Sequence, residues 1–230
     1  MEKNMKKFFA FLLCINLLLS SLITFVCAED LPFDDVSESD WFYEDVSKVW
    51  ALEIMDGKSP TVFAPKSVMT RAEFLVLLAK IADAEPDGMN EFAAEKYTDV
   101  DSDAWYAPYV GWGASVEIVT GYTDGTFLPN NPISRQELAV MIVRFMTFQN
   151  FENTEDHSLI ESFADYKSIG SWARPQVEIL RLSGLVGGDE NCCFNPKKPA
   201  SRAEVAAIAG RYCDAYNEYI SASNDASLIF

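Results

Sequence analysis

The five residues Met69-Thr70-Arg71-Ala72-Glu73 are followed by Phe74, Leu77, Leu78 and Ile81, the i, i+3, i+4, i+7 spacing of one apolar helix face. The phrase returns as Ile133-Ser134-Arg135-Gln136-Glu137 ahead of Leu138, Met141, Ile142 and Phe145. It returns again as Ala200-Ser201-Arg202-Ala203-Glu204 ahead of Val205, Ile208, Ala209 and Tyr212. A hydroxyl residue three positions before a Glu predicts a capping box, with Thr70, Ser134 and Ser201 as N-caps and Glu73, Glu137 and Glu204 returning the bond. Each Arg then occupies the first helical position, where a cation meets the positive end of the helix dipole at a cost of about 0.3–1 kcal/mol. An unfavourable placement made three times needs a counter-charge. An anion at the helix start would meet free N–H groups, the dipole and a guanidinium together, so Arg71, Arg135 and Arg202 are candidate anion ligands. The competing reading is a surface ion pair with a neighbouring carboxylate, worth ~0–1 kcal/mol.

The phrase is one part of a longer repeat. Aligned on Trp41, Trp105 and Trp172, the Arg falls 30 residues later in every copy. Between them lie a Val (Val46, Val110, Val177), a Gly (Gly57, Gly121, Gly188), a Phe (Phe63, Phe127, Phe194) and a Pro (Pro65, Pro129, Pro196), each in register. An aromatic-x-Asp lead-in precedes the Trp, at Phe33–Asp35, Tyr97–Asp99 and Phe163–Asp165. Each unit reads as an extended lead-in, a first helix from the Trp to the Gly, a loop with the Phe-x-Pro phrase, and a second, longer helix. The Gly is the expected C′ stop of the first helix, and Asp35, Asp99 and Asp165 are expected to cap that helix or tie the turn. Two helices cannot bury their faces alone, so the units must pack on one another. A closed three-fold arrangement is the compact solution; an open stack is the alternative. The fold class is all-α.

The chain has 230 residues and a formal charge of −17. Residues 1–28 read as a secretory signal peptide: Lys3, Lys6 and Lys7, then an apolar run from Phe8 to Val26, then Val26-Cys27-Ala28. An uncleaved membrane anchor is the alternative. Losing this segment removes three lysines and one glutamate, so the remainder is more acidic still. Such a surface disfavours nucleic acid, and any anion must be met in local basic pockets. Cys192, Cys193 and Cys213 follow the signal peptide, leaving at least one thiol unpaired. A bridge from the 192/193 pair to Cys213 and small buried side chains are both open. The chain divides into a signal peptide (1–28), a first repeat (29–81), a linker (82–96) with room for a short helix, a second repeat (97–146), a linker (147–162) holding His157, a third repeat (163–213), and a tail (214–230) expected to extend the last helix briefly and then fray.

The Phe-x-Asp-Val lead-in, the Trp, the loop Gly-Tyr-Thr-Asp-Gly-Thr-Phe-Leu-Pro at 121–129 and the phrase Thr-Arg-Ala-Glu at 70–73 resemble the S-layer homology (SLH) domain, and the three units resemble a complete SLH triplet over residues 31–213. That resemblance implies a three-pronged helical spindle that anchors exported proteins non-covalently to the bacterial cell wall. The implied partner is a peptidoglycan-linked secondary cell-wall polysaccharide, often bearing a pyruvate ketal, held in grooves between prongs by Arg71, Arg135 and Arg202. A ketal carboxylate suits a planar guanidinium, which grips it in a bidentate way. A secreted, cell-surface monomer follows, with no cofactor, no metal, no nucleic acid and no membrane partner once the signal is cleaved.

The copies differ. The second keeps Gly121, Tyr122, Asp124 and Gly125, which makes Tyr122 a candidate for stacking on sugar and Gly121 and Asp124 candidate loop ligands. The first replaces these positions with Lys58–Val62. The third has Asp189-Glu190-Asn191-Cys192-Cys193, whose carboxylates would repel an anion, and one extra residue before Trp172. The second copy is therefore expected to be the most intact site and the third the least. Trp41, Trp105 and Trp172 are expected in the core, as aromatics fixed in every unit usually are. Asp99-Val-Asp101-Ser-Asp103 starts like a calcium loop but has Ala104 in place of the Gly and Val110 in place of the bidentate Glu. The chain lacks Gly-x-Ser-x-Gly, a phosphate loop and a His/Cys/Asp set of metal spacing. Three equivalent units argue for repeated binding, so no catalytic residue is assigned. A surface-layer assembly component, or a wall glycan hydrolase built on two carboxylates, are the competing functions.

Overall fold

The computed structural model describes residues 31–151 and 162–227; the signal-peptide reading of 1–28 and His157 lie outside them. In the unit from residue 33 onward, each repeat contributes a short helix and a long one. The first repeat supplies α1 (Tyr43–Ala51) and α2 (Arg71–Ile81). A short α3 (Asn90–Lys96) follows in the first connector. The second repeat supplies α4 (Ala107–Ser115) and α5 (Arg135–Phe148). The third supplies a 3₁₀ turn (Tyr166–Ser168), α6 (Arg174–Leu182) and α7 (Arg202–Ser227). Among the described residues β-pairing is limited to isolated bridges, and no helix is long and apolar enough to cross a membrane.

Closure of the three units is written in backbone hydrogen bonds. The residue before each N-cap donates to its counterpart in another repeat: Met69 N to Ala200 O at 3.0 Å, Ala200 N to Ile133 O at 2.9 Å, and Ile133 N to Met69 O at 2.9 Å. The ring returns to its start, which an open stack cannot do. All three side chains are buried, so these bonds lie in low dielectric where an unmade one would be costly. Helix packing is cyclic as well: α2 packs on α4, α5 on α6 and α7 on α1, so each long helix meets the next repeat's short one. The apolar stripes read from the sequence supply the shared core, with Phe74, Leu78, Leu138, Phe145, Val205 and Tyr212 all buried.

Four local expectations are corrected. Trp41, Trp105 and Trp172 are not core residues but 65%, 60% and 54% exposed. The short helices start two residues after each Trp, and the next residue takes the buried position instead: Phe42, Tyr106 and Ala173. Trp41 and Trp105 lie edge-on to the rings of Phe42 and Tyr106 at 5.3 and 5.4 Å. The repeated Gly does not end the short helix. Glu53, Glu117 and Gly184 do so, with φ of 57°, 60° and 69°. Gly57 and Gly121 serve a close crossing: a Cβ on either would sit 2.6 Å from the Phe33 ring or 2.4 Å from the Tyr97 ring.

Asp35, Asp99 and Asp165 do not cap α1, α4 or α6. Each carboxylate spans two successive amides about thirty residues on, at 2.7–2.8 Å: Phe63 and Ala64, Phe127 and Leu128, Phe194 and Asn195. The second residue of each pair is non-glycine with a left-handed φ of 57–60°, a conformation that costs ~1–2 kcal/mol and persists only when the surroundings hold it. The carboxylate is that support, and it presses the fully buried Phe63, Phe127 and Phe194 against the lead-in aromatics, with ring centroids 5.1–5.6 Å apart. The last helix does not stop soon after Cys213 but continues to Ser227. Its Tyr216 and Tyr219 pack on Phe151 at 5.5 and 5.3 Å. Among the described residues Cys192, Cys193 and Cys213 are free thiols, with Cys213 buried and Cys192 exposed.

Candidate functional site

The capping residues stand where helix chemistry places them. Thr70 N–H donates to Glu73 at 2.8 Å while Thr70 Oγ1 accepts from the Glu73 amide at 3.2 Å, and Ser201 and Glu204 do the same at 2.8 and 3.2 Å. Glu137 accepts the Ser134 N–H at 2.9 Å and its hydroxyl. The first two helical amides, however, are not free for an anion. Arg71 N and Ala72 N donate to Asn131 O and Pro129 O; Arg135 N and Gln136 N to Lys198 O and Pro196 O; Arg202 N and Ala203 N to Ser67 O and Pro65 O, all at 2.9–3.0 Å. Neighbouring loops close these helix starts. The argument for an anion bound by backbone amides is therefore overturned, and only the guanidinium groups remain.

Each guanidinium crosses into the next repeat. Arg71 Nε donates to Phe127 O at 2.9 Å and Nη1 to Glu137 at 3.2 Å, with its carbon 4.8 Å from the Tyr122 ring centroid. Arg202 Nε donates to Phe63 O at 2.8 Å and Nη2 to Asp56 O at 2.5 Å. Arg135 Nε donates to Phe194 O at 2.7 Å and Nη2 to Gly187 O at 3.2 Å. Its Nη1 stands 3.6 Å from Glu204, beyond hydrogen-bond reach. Each guanidinium also lies over the ring of the Phe whose carbonyl it binds, at 4.6–5.0 Å. The cation that the dipole disfavours is thus held by a carbonyl, a ring and, for Arg71 and Arg135, a neighbouring Glu.

A groove of about 240 Å³ opens at one of the three junctions. Arg135 from the second repeat, Gly187–Asp189 and Lys198 from the third repeat's loop, Arg211 on α7 and the exposed Trp41 from the first repeat line it. The third loop, expected to be the least fit, therefore borders open space. Asp189 turns into its own loop, accepting the amides of Asn191 at 2.9 Å and Cys193 at 3.0 Å and the Asn195 side-chain amide at 2.8 Å. The Cys193 and Asn191 amides and the Asn195 side chain hold its carboxyl below the ordinary range. Burial pushes Glu204 up, but the Ser201 amide, Lys198 and Arg135 outweigh it and hold the carboxyl low. Burial lowers Arg135 from its ordinary value while Glu204 works against that; a guanidinium starts so high that it stays charged at neutral pH.

The other predicted loop residues have local roles. Asp124 accepts the amide and hydroxyl of Thr126 at 3.0 and 2.7 Å, closing a turn. Gly121 carries the left-handed φ of 71° at the crossing over Tyr97. Tyr122 lies over Arg71 and donates its hydroxyl to Glu137; burial and that acceptor push its pKa up to about 12. Three cations escaped the sequence reading: Lys80, Arg144 and Arg211, nine residues after each motif Arg. They tie the long helix to the end of the short one, through Lys80 to Glu53 O at 3.1 Å, Arg144 to Ile118 O at 3.5 Å and Arg211 to Leu185 O at 3.3 Å. Their constant offset was the signal that could have found them.

The S-layer homology domain family model matches residues 32–75, 96–139 and 162–206. The chain is 29% identical over 217 residues to an endoglucanase of Bacillus sp. (strain KSM-635), covering 90% of this chain and 22% of that protein. It is 28% identical to a cellulosome-anchoring protein of Acetivibrio thermocellus, covering 65% of this chain and 33% of the relative. It is 32% identical to a surface layer protein of Brevibacillus choshinensis, over 45% of this chain and 9% of the relative. The chain thus spans at most a third of the length of these relatives. Three matched segments make up more than half of the chain and coincide with its three helix-loop-helix units, and the chain belongs to the S-layer homology domain family.

Proposed function

We propose that this protein is a non-catalytic, non-covalent cell-wall anchoring module that binds an anionic secondary cell-wall polysaccharide at the bacterial surface, with a pyruvate-ketal carboxylate as the recognised charge. The observation that carries the reading is the groove in which Arg135, Arg211 and Lys198 converge beside an exposed indole. On a chain of net charge −17, a concave site lined by three cations against two carboxylates, Asp189 and Glu204, keeps a local positive excess where an anion finds a favourable potential. A planar guanidinium takes a carboxylate through paired N–H groups, and the indole of Trp41 offers a flat apolar face to a sugar ring. Family membership supports the same reading. So do the relatives, since an endoglucanase, a cellulosome-anchoring protein and a surface layer protein each match a stretch of this chain over a minor part of their own lengths, as proteins carrying an attachment unit would.

The test is co-sedimentation of the purified chain with isolated walls. It is expected to pellet with walls that keep their anionic polysaccharide and to stay in the supernatant when that polymer has been extracted with acid. Equal pelleting with bare peptidoglycan would overturn the polymer reading.

A further inference from the structure

We infer that the three grooves are not equivalent and that the ligand enters only the Arg135 groove, because Tyr122 and Lys58 fill the matching space in the other two. The inference rests on the anion-binding reading above and specifies which site performs it.

Each groove is built from the motif Arg of one repeat, the loop of the next repeat and the Glu that closes that next repeat's capping box. The residue after the loop glycine decides what stands over that Glu. In the second repeat it is Tyr122, whose hydroxyl donates to Glu137 and whose ring covers Arg71 at 4.8 Å. Arg71 also spends Nε and Nη1 on Phe127 O and Glu137, and is only 7% exposed. In the first repeat the residue is Lys58, which pairs with Glu73, while Arg202 beside it is 5% exposed and gives Nε and Nη2 to backbone carbonyls. An incoming carboxylate would have to displace an aromatic ring in one groove and an ion pair in the other.

The third repeat has Asp189 at this position. A carboxylate cannot pair with Glu204, and it turns instead to the amides of its own loop. Lys198 reaches Glu204 at 2.9 Å, and both residues line the groove without closing it. The space over Arg135 is left open, and its Nη1 faces only the Glu204 carboxylate, 3.6 Å away. At about 240 Å³ the groove falls below the roughly 300–1,000 Å³ of pockets that bury a drug-sized ligand, so it takes a single sugar residue of a polymer. The departure from the repeat pattern at Asp189 thereby opens a site. Trp41 precedes α1, which packs on α7. Trp105 and Trp172 precede α4 and α6, which pack on α2 and α5, so they stand at the filled grooves.

Titration calorimetry with the methyl glycoside of a pyruvate-ketal-bearing amino sugar tests this. The unaltered chain is expected to bind one equivalent. Trp41→Ala, at an exposed position that does not support the fold, is expected to weaken binding more than tenfold, whereas Trp105→Ala and Trp172→Ala leave it within twofold. Tyr122→Ala is expected to raise the stoichiometry to two. A stoichiometry of two or three in the unaltered chain, equal losses from all three Trp variants, or a stoichiometry held at one in Tyr122→Ala would each overturn the single-groove inference while leaving anion binding intact. Absence of heat with this probe, together with wall binding that survives polymer extraction, would overturn the anion reading itself.

Discussion

At the scale of the residue, three aspartates each tie a lead-in to a loop about thirty residues on. Asp99 fixes two amides and a left-handed Leu128 at once. Asp99→Ala is expected to destabilise by about 3 kcal/mol, since each hydrogen bond to a charged group is worth ~1.5–3 kcal/mol and the amides are left part-buried. Asp99→Asn, which keeps one accepting oxygen, should cost less; urea unfolding curves for the pair check the order. The capping glutamates set the acid limit. Burial raises Glu73 and Glu137, but Lys58 and Thr70 in the first, and Ser134, Tyr122 and Arg71 in the second, bring both below the ordinary value, as happens for Glu204. Each folded pKa lies under the unfolded one, so the stabilisation is complete above the unfolded value of ~4.3 and is lost as pH falls through the folded values. Thermal midpoints are expected to hold from pH 7 to 5 and to drop below pH 4. A midpoint unchanged at pH 3 would show that these glutamates are not coupled to folding.

At the scale of the element, the long helices are capped twice over, by the side-chain box and by carbonyls from the next repeat. Thr70→Ala and Ser201→Ala should therefore cost about 1 kcal/mol each, the ordinary worth of an N-cap, rather than unfold the protein, as guanidinium titrations would show. The end of α7 is a second element with a measurable role. Ending the chain after Asp214 removes Tyr216 and Tyr219 from Phe151, and the Tyr219 hydroxyl from Asn150 O at 3.1 Å. Aromatic pairs contribute ~0.5–1.5 kcal/mol each, so the truncated chain is expected to melt a few degrees lower. An unchanged melting temperature would make this extension energetically idle. The helical stripes, the capping boxes and the short helix in the first connector were legible because they depend on neighbours within a few residues. The helix-ending role given to the Gly was misplaced. Glu53 and Glu117 adopt the left-handed C′ conformation without being glycine, and the glycine pattern reports a long-range crossing over Phe33 and Tyr97 instead.

At the scale of the whole molecule, closure makes the three repeats one cooperative body. Each long helix start is sealed by the next repeat, and the Met69–Ala200–Ile133 ring fails if any member is removed. A fragment ending at residue 151 would leave Phe63 and Met69 without Arg202 and Ala200. It is expected to show no sharp thermal transition by circular dichroism, whereas the full chain melts in one. A fragment that melted as sharply as the parent would mean that the repeats are independently stable.

The sequence alone determined the repeat, its helix content, its family resemblance and the candidate arginines, because identical spacing and helical periodicity are properties of the chain compared with itself. It could not determine burial at the three Trp positions, where equal spacing marks equivalence without saying which side of the backbone faces inward. Nor could it show that each Arg serves the following repeat, since contacts such as Arg202 to Phe63, 139 residues apart, exist only once the ring is closed. Which groove stands open was likewise a tertiary decision. Asp189 looked repulsive as a neighbour in sequence, yet in the fold its charge is satisfied by its own loop, and like-charge repulsion from Glu204 keeps it out of the space that Tyr122 and Lys58 fill elsewhere.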